Sequence, residues 1–92
     1  MHVRWTKAAS SDLEIIANYL FDKTPDHAPR LIREIYQAAL NLKNFPNRGR
    51  RGKKEGTREL VILGGPYVIV YKVGAEALFI FRILHGAQDW RG

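Results

Sequence analysis

The hydrophobic side chains of this chain change their spacing once, and that change sets the order of elements. Ala9, Leu13, Ile16, Ala17 and Leu20 recur at three and four residues, so they share one face of a helix. Asp12, Glu14 and Asn18 fall largely off that stripe. Thr6 is placed to cap this helix, and Thr24-Pro25 ends it, because a residue before proline avoids the helical region. A second stripe follows: Leu31, Ile32, Ile35, Tyr36, Ala39, Leu40 and Leu42. Asp26 is its expected N-cap, Pro29 suits the first turn, and Phe45-Pro46 closes it. Two amphipathic helices joined by so short a turn form an antiparallel hairpin. From residue 58 onward the pattern is that of strands. Residues 58–63, 67–73 and 77–84 are rich in β-branched and aromatic side chains, separated by Gly64-Gly65-Pro66 and Gly74-Ala75-Glu76 at hairpin lengths. Val3 to Thr6 reads as a short first strand. The expected order is β-α-α-β-β-β. That is an α+β domain spanning residues 1–92, with an antiparallel sheet and the helical hairpin on one face.

A sheet covered by helices on one face should alternate apolar and polar residues. These strands alternate poorly. Simple parity puts Leu78, Ile80 and Leu84 on one face with Arg82, and Phe79, Phe81 and Ile83 on the other. Tyr67, Ile69 and Tyr71 likewise oppose Val68 and Val70. Both faces are thus largely apolar, so the second face has either a further cover within the chain or a partner. The partner is the reading preferred here, because 92 residues leave little chain for a second layer.

The formal charge of +6 is confined to one segment. Residues 43–58 hold seven basic side chains (Lys43, Arg48, Arg50, Arg51, Lys53, Lys54, Arg58) and one acid, Glu55, whereas the remainder balances. Gly49, Gly52 and Gly56 interrupt the charges, as expected of a surface loop. Such a focused positive potential favours an anionic partner, either nucleic acid or an acidic protein surface. A solvated loop is the plainer alternative. The chain has no cysteine and its three histidines are far apart, so neither a disulfide framework nor a structural zinc site is expected. No nucleotide-binding glycine motif or serine-hydrolase motif occurs, and no cofactor or metal is expected. The N-terminus lacks the apolar core of a signal peptide, and no apolar run approaches the ~20 residues that span a bilayer. A cytoplasmic location without membrane contact is the expectation.

Arg82 lies within an apolar strand and needs a partner or an exposed site; Glu59 and Asp89 are the candidates. His85 is the one histidine placed after a core strand. Parity sends Arg82 and His85 to opposite faces, against joint action on one phosphate. For both, a structural role is the first reading. Trp90 is read as packing on the sheet, with base stacking as the alternative.

The runs Gly56-Thr57-Arg58-Glu59-Leu60-Val61, Pro66-Tyr67-Val68-Ile69-Val70-Tyr71 and Arg82-Ile83-Leu84-His85-Gly86-Ala87-Gln88-Asp89-Trp90, with the N-terminal Ala9-x-x-Asp12-Leu13-x-x-Ile16, resemble the RelE/ParE toxin superfamily. The resemblance covers essentially the whole chain. No single motif is diagnostic, but the ordered set with this element order is fairly specific. It implies the toxin of a type II toxin–antitoxin pair, of the kind associated with plasmid stabilisation, neutralised by a cognate antitoxin. The surface an antitoxin would cover is assigned to Leu13, Ile16, Leu20, Tyr67, Ile69, Tyr71, Phe79 and Phe81.

The superfamily has two activities. RelE-like members cut mRNA on the ribosome without metal, a reaction that needs a base, an acid and cations for the phosphorane charge. Lys53, Lys54, Arg58, Arg82 and His85 are the residues available for it here. ParE-like members inhibit DNA gyrase by binding. Two departures from the RelE-like pattern favour the ParE-like branch, in which the chain is not an enzyme. Val68 stands where RelE-like chains tend to carry a middle-strand arginine, and only Trp90 could serve as a tail aromatic. Arg50 and Arg51 are the nearest cations that could fill the gap at Val68. Target contact is then assigned to Arg48, Arg50, Arg51, Lys53, Lys54, Arg58, Arg82, His85 and Trp90. A third reading, a basic nucleic-acid-binding module, accounts for the charge but not for the surplus apolar surface.

Overall fold

The computed structural model of the chain describes residues 1–86. Its elements are β1 (His2–Trp5), α1 (Lys7–Lys23), α2 (Ala28–Asn41), β2 (Arg50–Arg51), β3 (Arg58–Val61), β4 (Tyr67–Val73) and β5 (Ala77–His85). The strands form one sheet in the order β1-β5-β4-β3-β2. The α+β class and the helical hairpin are as expected. The sheet, however, is mixed rather than antiparallel throughout. β1 runs parallel to β5, from His2 opposite Ala77 to Trp5 opposite Ile80. The reason is topological: the helical hairpin carries the chain away from β1, and the strand that returns beside it runs in the same direction. A short strand, β2, also forms within the basic segment and pairs with β3.

Local chemistry accounts for the helix ends. The Thr6 side chain accepts a hydrogen bond from the Ala9 amide at 3.1 Å and so caps α1. The Thr24 amide closes the helix on the Leu20 carbonyl at 2.7 Å. Asp26 does not cap α2. The Thr24 carbonyl accepts from both the His27 and Ala28 amides, so the tight turn winds directly into helical backbone at His27. That residue occupies the cap position without a side-chain bond.

The helices cover one face of the sheet. The core joins Ala9, Ile35, Ala39 and Leu42 to Ile62, Tyr67, Ile69, Tyr71, Leu78, Ile80 and Ile83. Trp5 stacks on Tyr36, with ring centroids 6.0 Å apart, tying β1 to α2. Simple parity fails along β5 because the β4–β5 register shifts: Val70 is opposite Arg82, but Tyr71 is opposite Ile80. Phe81 is the extra residue of this bulge. Ile83 therefore joins Leu78 and Ile80 in the core, while Leu84 falls opposite Val68 on the far face. That far face is less open than expected. Val70 and Leu84 are buried there and Val68 is half-buried. Val70 lies between Glu59 and Arg82 of the neighbouring strands, whose long side chains are themselves half-buried. Among the described residues no helix is long and apolar enough to cross a membrane.

Candidate functional site

β1 covers β5 only as far as Ile80, so the edge of β5 beyond it must find other partners. The chain supplies them in sequence. The Thr6 amide donates to the Ile80 carbonyl at 3.0 Å, and its hydroxyl donates to the Phe81 carbonyl at 3.0 Å. One turn later on α1, Asp12 Oδ2 accepts from the Ile83 amide at 3.0 Å. The same carboxylate takes the Arg82 guanidinium bidentately, Nε to Oδ2 at 2.7 Å and Nη2 to Oδ1 at 2.9 Å. This resolves the odd arginine in the strand. Its partner is Asp12 rather than Glu59, which instead holds Arg50 at 3.1 Å; Asp89 lies outside the described residues, as does Trp90. The hydrogen bonds to Asp12 hold the Arg82 guanidinium protonated above its ordinary range, against the opposing effect of burial.

A groove of about 690 Å³ runs beside this pair, lined by Ile15, Tyr19, Tyr67, Arg82 and His85 among others. His85 meets the edge of the Tyr67 ring, with centroids 6.1 Å apart. Burial, with the Tyr19 phenol as a second cause, pushes the Tyr67 phenol up from its ordinary value. Of the residues assigned to an antitoxin surface, Leu20, Tyr67, Ile69 and Tyr71 are buried, and the last three are core residues between sheet and helices. Leu13 and Ile16 are half-buried against the core, Phe81 is half-buried and Phe79 is exposed. The exposed apolar side chains of α1 are Ile15, Tyr19 and Phe21, off the core stripe. The sequence did carry a signal for them, since Ile15 and Tyr19 are four residues apart on one turn-to-turn line.

The basic segment occupies another part of the molecule. Arg50 faces Glu59 and Arg51 faces Arg58 across the β2–β3 pair. The tip is wound tightly: Gly52 N–H donates to the Thr57 carbonyl at 2.8 Å, and the Thr57 hydroxyl donates to the Lys54 carbonyl at 2.5 Å. Gly56 has φ of 81°, a left-handed conformation that favours glycine. Arg51, Lys53, Lys54 and Arg58 line a cleft of about 700 Å³ in which Glu55 is the one acid among the described residues. Lys72 of β4 adds a further cation, since a Cβ at Gly56 would stand 3.5 Å from its Nζ. The sequence hides Lys72 because it lies in an apolar strand outside the basic run. The hairpin base is fixed by Tyr71, whose hydroxyl donates to the Pro46 carbonyl at 2.7 Å and accepts from the Gly49 amide at 2.8 Å. Burial raises the Tyr71 phenol above its ordinary value, partly offset by the Gly49 bond and the charge of Arg58. Arg58 Nη1 donates to the carbonyls of Gly49 at 2.7 Å and Asn47 at 3.3 Å.

The residues available for phosphate cleavage therefore fall into two groups: Lys53, Lys54 and Arg58 line the hairpin cleft, whereas Arg82 and His85, expected on opposite faces, line the groove beside α1 together. Arg58 lies opposite Tyr71 and His85 opposite Tyr67, four residues apart along β4, or roughly 13 Å by strand rise alone. Val68 is flanked by Val61 and Leu84. Neither Arg50 nor Arg51 reaches the gap there: Arg50 is held by Glu59, opposite Val70, and Arg51 pairs with Arg58. Arg48 lies at the mouth of a separate groove between α2 and β3, beside Glu34 and Leu60.

Known proteins share this fold. The chain is 38% identical over 86 residues to the toxin RelE2 of Caulobacter vibrioides, covering 94% of this chain and 96% of that protein. Among solved structures it superposes on one from the chromosomal ParDE toxin–antitoxin system of P. aeruginosa with a TM-score of 0.86, at 25% identity, over 92% of this chain and 95% of that one. The toxin–antitoxin complex RelBE2 of Mycobacterium tuberculosis shares the fold at a TM-score of 0.65 and 24% identity, over 91% of this chain and 95% of that one. The sequence profile described as the ParE toxin of the type II toxin–antitoxin system parDE matches residues 3–90. The chain belongs to the ParE toxin family of type II toxin–antitoxin systems.

Proposed function

We propose that this toxin acts by binding DNA gyrase, in the manner of ParE, rather than by cutting mRNA on the ribosome in the manner of RelE. The observation that carries this reading is the separation of the groups a ribonuclease would need. Cleavage by a 2′-hydroxyl requires a base, an acid and phosphorane-stabilising cations within hydrogen-bond reach of one phosphate. Here Lys53, Lys54 and Arg58 belong to the hairpin, His85 lies about four strand residues away, and Arg82 is held by Asp12. Val68 has apolar neighbours on both adjacent strands, where a positioned cation would be worth several kcal/mol at the transition state.

The antitoxin would cover the groove beside α1, where Ile15 and Tyr19 are exposed next to Tyr67, Arg82 and His85. Phe79 is a second exposed anchor, on β5. This placement replaces the buried Ile69 and Tyr71 with side chains that a partner can reach. A cytoplasmic site of action follows from either target.

Induction of the chain in a bacterial host without its antitoxin distinguishes the two activities. Filamentation and a DNA-damage response are expected, with full-length translated mRNAs by primer extension. Abrupt translation arrest with new cuts inside codons, abolished by His85→Ala or Arg58→Ala, would make the chain a RelE-like endonuclease instead.

A further inference from the structure

We infer that the β2–β3 hairpin is a binding site for the phosphate backbone of duplex DNA, so that the toxin engages the DNA segment on which gyrase works as well as the enzyme. The inference rests on the gyrase reading for the identity of that segment, but the site itself is argued from the hairpin. Arg51 and Arg58 are directly opposite on a two-residue ladder. Like charges so placed destabilise a strand pair. Among the described residues Glu59 is taken by Arg50 and by the Lys53 amide at 3.3 Å, and Glu55 is the one carboxylate lining the cleft, against four cations. An anion between the two guanidinium groups would relieve the repulsion.

The geometry suits a phosphate. Arg58 Nη1 is fixed by the Gly49 and Asn47 carbonyls, which orients the guanidinium while leaving its other N–H groups without a partner among the described residues. Lys53 and Lys54 line the same cleft, and Lys72 lies against the tip at Gly56. The cleft is open and largely polar, with Val73 its one large apolar side chain among the described residues. An acidic protein surface would be expected to bury apolar anchors as well. A row of phosphates needs only the charge, and among the described residues no flat aromatic platform for single-stranded bases lines the cleft.

Fluorescence anisotropy with a labelled 30-base-pair duplex tests the site, using the full chain and an Arg51→Gln/Lys53→Gln/Lys54→Gln variant of unchanged melting temperature. Wild type should bind with an affinity that falls steeply with salt, at roughly −0.9 in log–log slope per neutralised phosphate. The variant should lose roughly two orders of magnitude at 0.1 M salt, with a slope shallower by about 2 to 3. Equal duplex binding by the two proteins would overturn the inference. So would salt-insensitive binding, tighter binding of single-stranded RNA than of duplex, or polyglutamate binding without duplex binding. Gyrase inhibition assayed in parallel separates the two claims. Inhibition with no duplex binding ends the inference alone, and duplex binding with no inhibition ends the gyrase reading while leaving the hairpin site.

Discussion

Asp12 organises more of this molecule than its place on a helix suggests. One carboxylate, with a largely shielded side chain, satisfies the strand-edge amide of Ile83 and accepts from two of the nitrogens of Arg82. Removing it leaves a half-buried guanidinium and an unpaired amide. A fully buried pair broken in this way costs about 3–5 kcal/mol, but Arg82 keeps a third of its side chain in water, so about 1–3 kcal/mol is expected for Asp12→Ala. At about 4–8 °C per kcal/mol for a domain of this size, calorimetry should show a clear fall in melting temperature. Asp12→Asn should lose less, because its side-chain oxygen still accepts from Ile83. A double-mutant cycle with Arg82→Ala should show strong coupling, and additive effects would mean that the pair contributes nothing. That Arg82 needed a partner was legible in its apolar strand. Which partner was not, because Asp12 is seventy residues away and reaches β5 only where β1 stops.

At the scale of elements, the spacing of apolar residues carried the fold a long way. Both helices, the β4 boundaries and the two hairpin connections follow from it. Three features escaped it for physical reasons. The direction of β1 is decided by the path of the helical hairpin, not by any residue in β1. The bulge at Phe81 is a register effect between two strands that look regular separately, and it inverted the faces assigned to Ile83 and Leu84. β2 is two arginines long, too short and too charged to read as a strand, and it forms because its base is held by Tyr71. That anchor makes a sharp prediction. A Cβ at Gly49 would lie 2.7 Å from Tyr71 Cε1 and 3.0 Å from the Glu59 carbonyl oxygen. Gly49→Ala must therefore displace a buried ring or the hairpin, at about 1–3 kcal/mol. Amide hydrogen exchange should accelerate over residues 46–52 while α1 keeps its protection. An unchanged exchange pattern and melting temperature would show that Tyr71 does not hold the hairpin.

For the whole molecule, charge and apolar surface are segregated. The excess positive charge is confined to residues 43–58, with four of its cations lining the hairpin cleft, and the exposed apolar groove runs along α1 toward His85. On the proposed reading the two would serve different partners, an anionic target and an apolar antitoxin segment. The sequence revealed the charge patch but exaggerated the apolar surface, because Val70 and Leu84 on the second face are already buried. It also could not show that the hairpin cations and His85 stay apart, since that separation exists only once the register of β3, β4 and β5 is set. The central claim is inhibition of gyrase by binding. Its most direct test is supercoiling of relaxed plasmid by purified gyrase with increasing amounts of the purified chain. The expected result is a dose-dependent loss of supercoiled product that the cognate antitoxin reverses. Undiminished supercoiling at concentrations that block translation in a cell-free extract would contradict it.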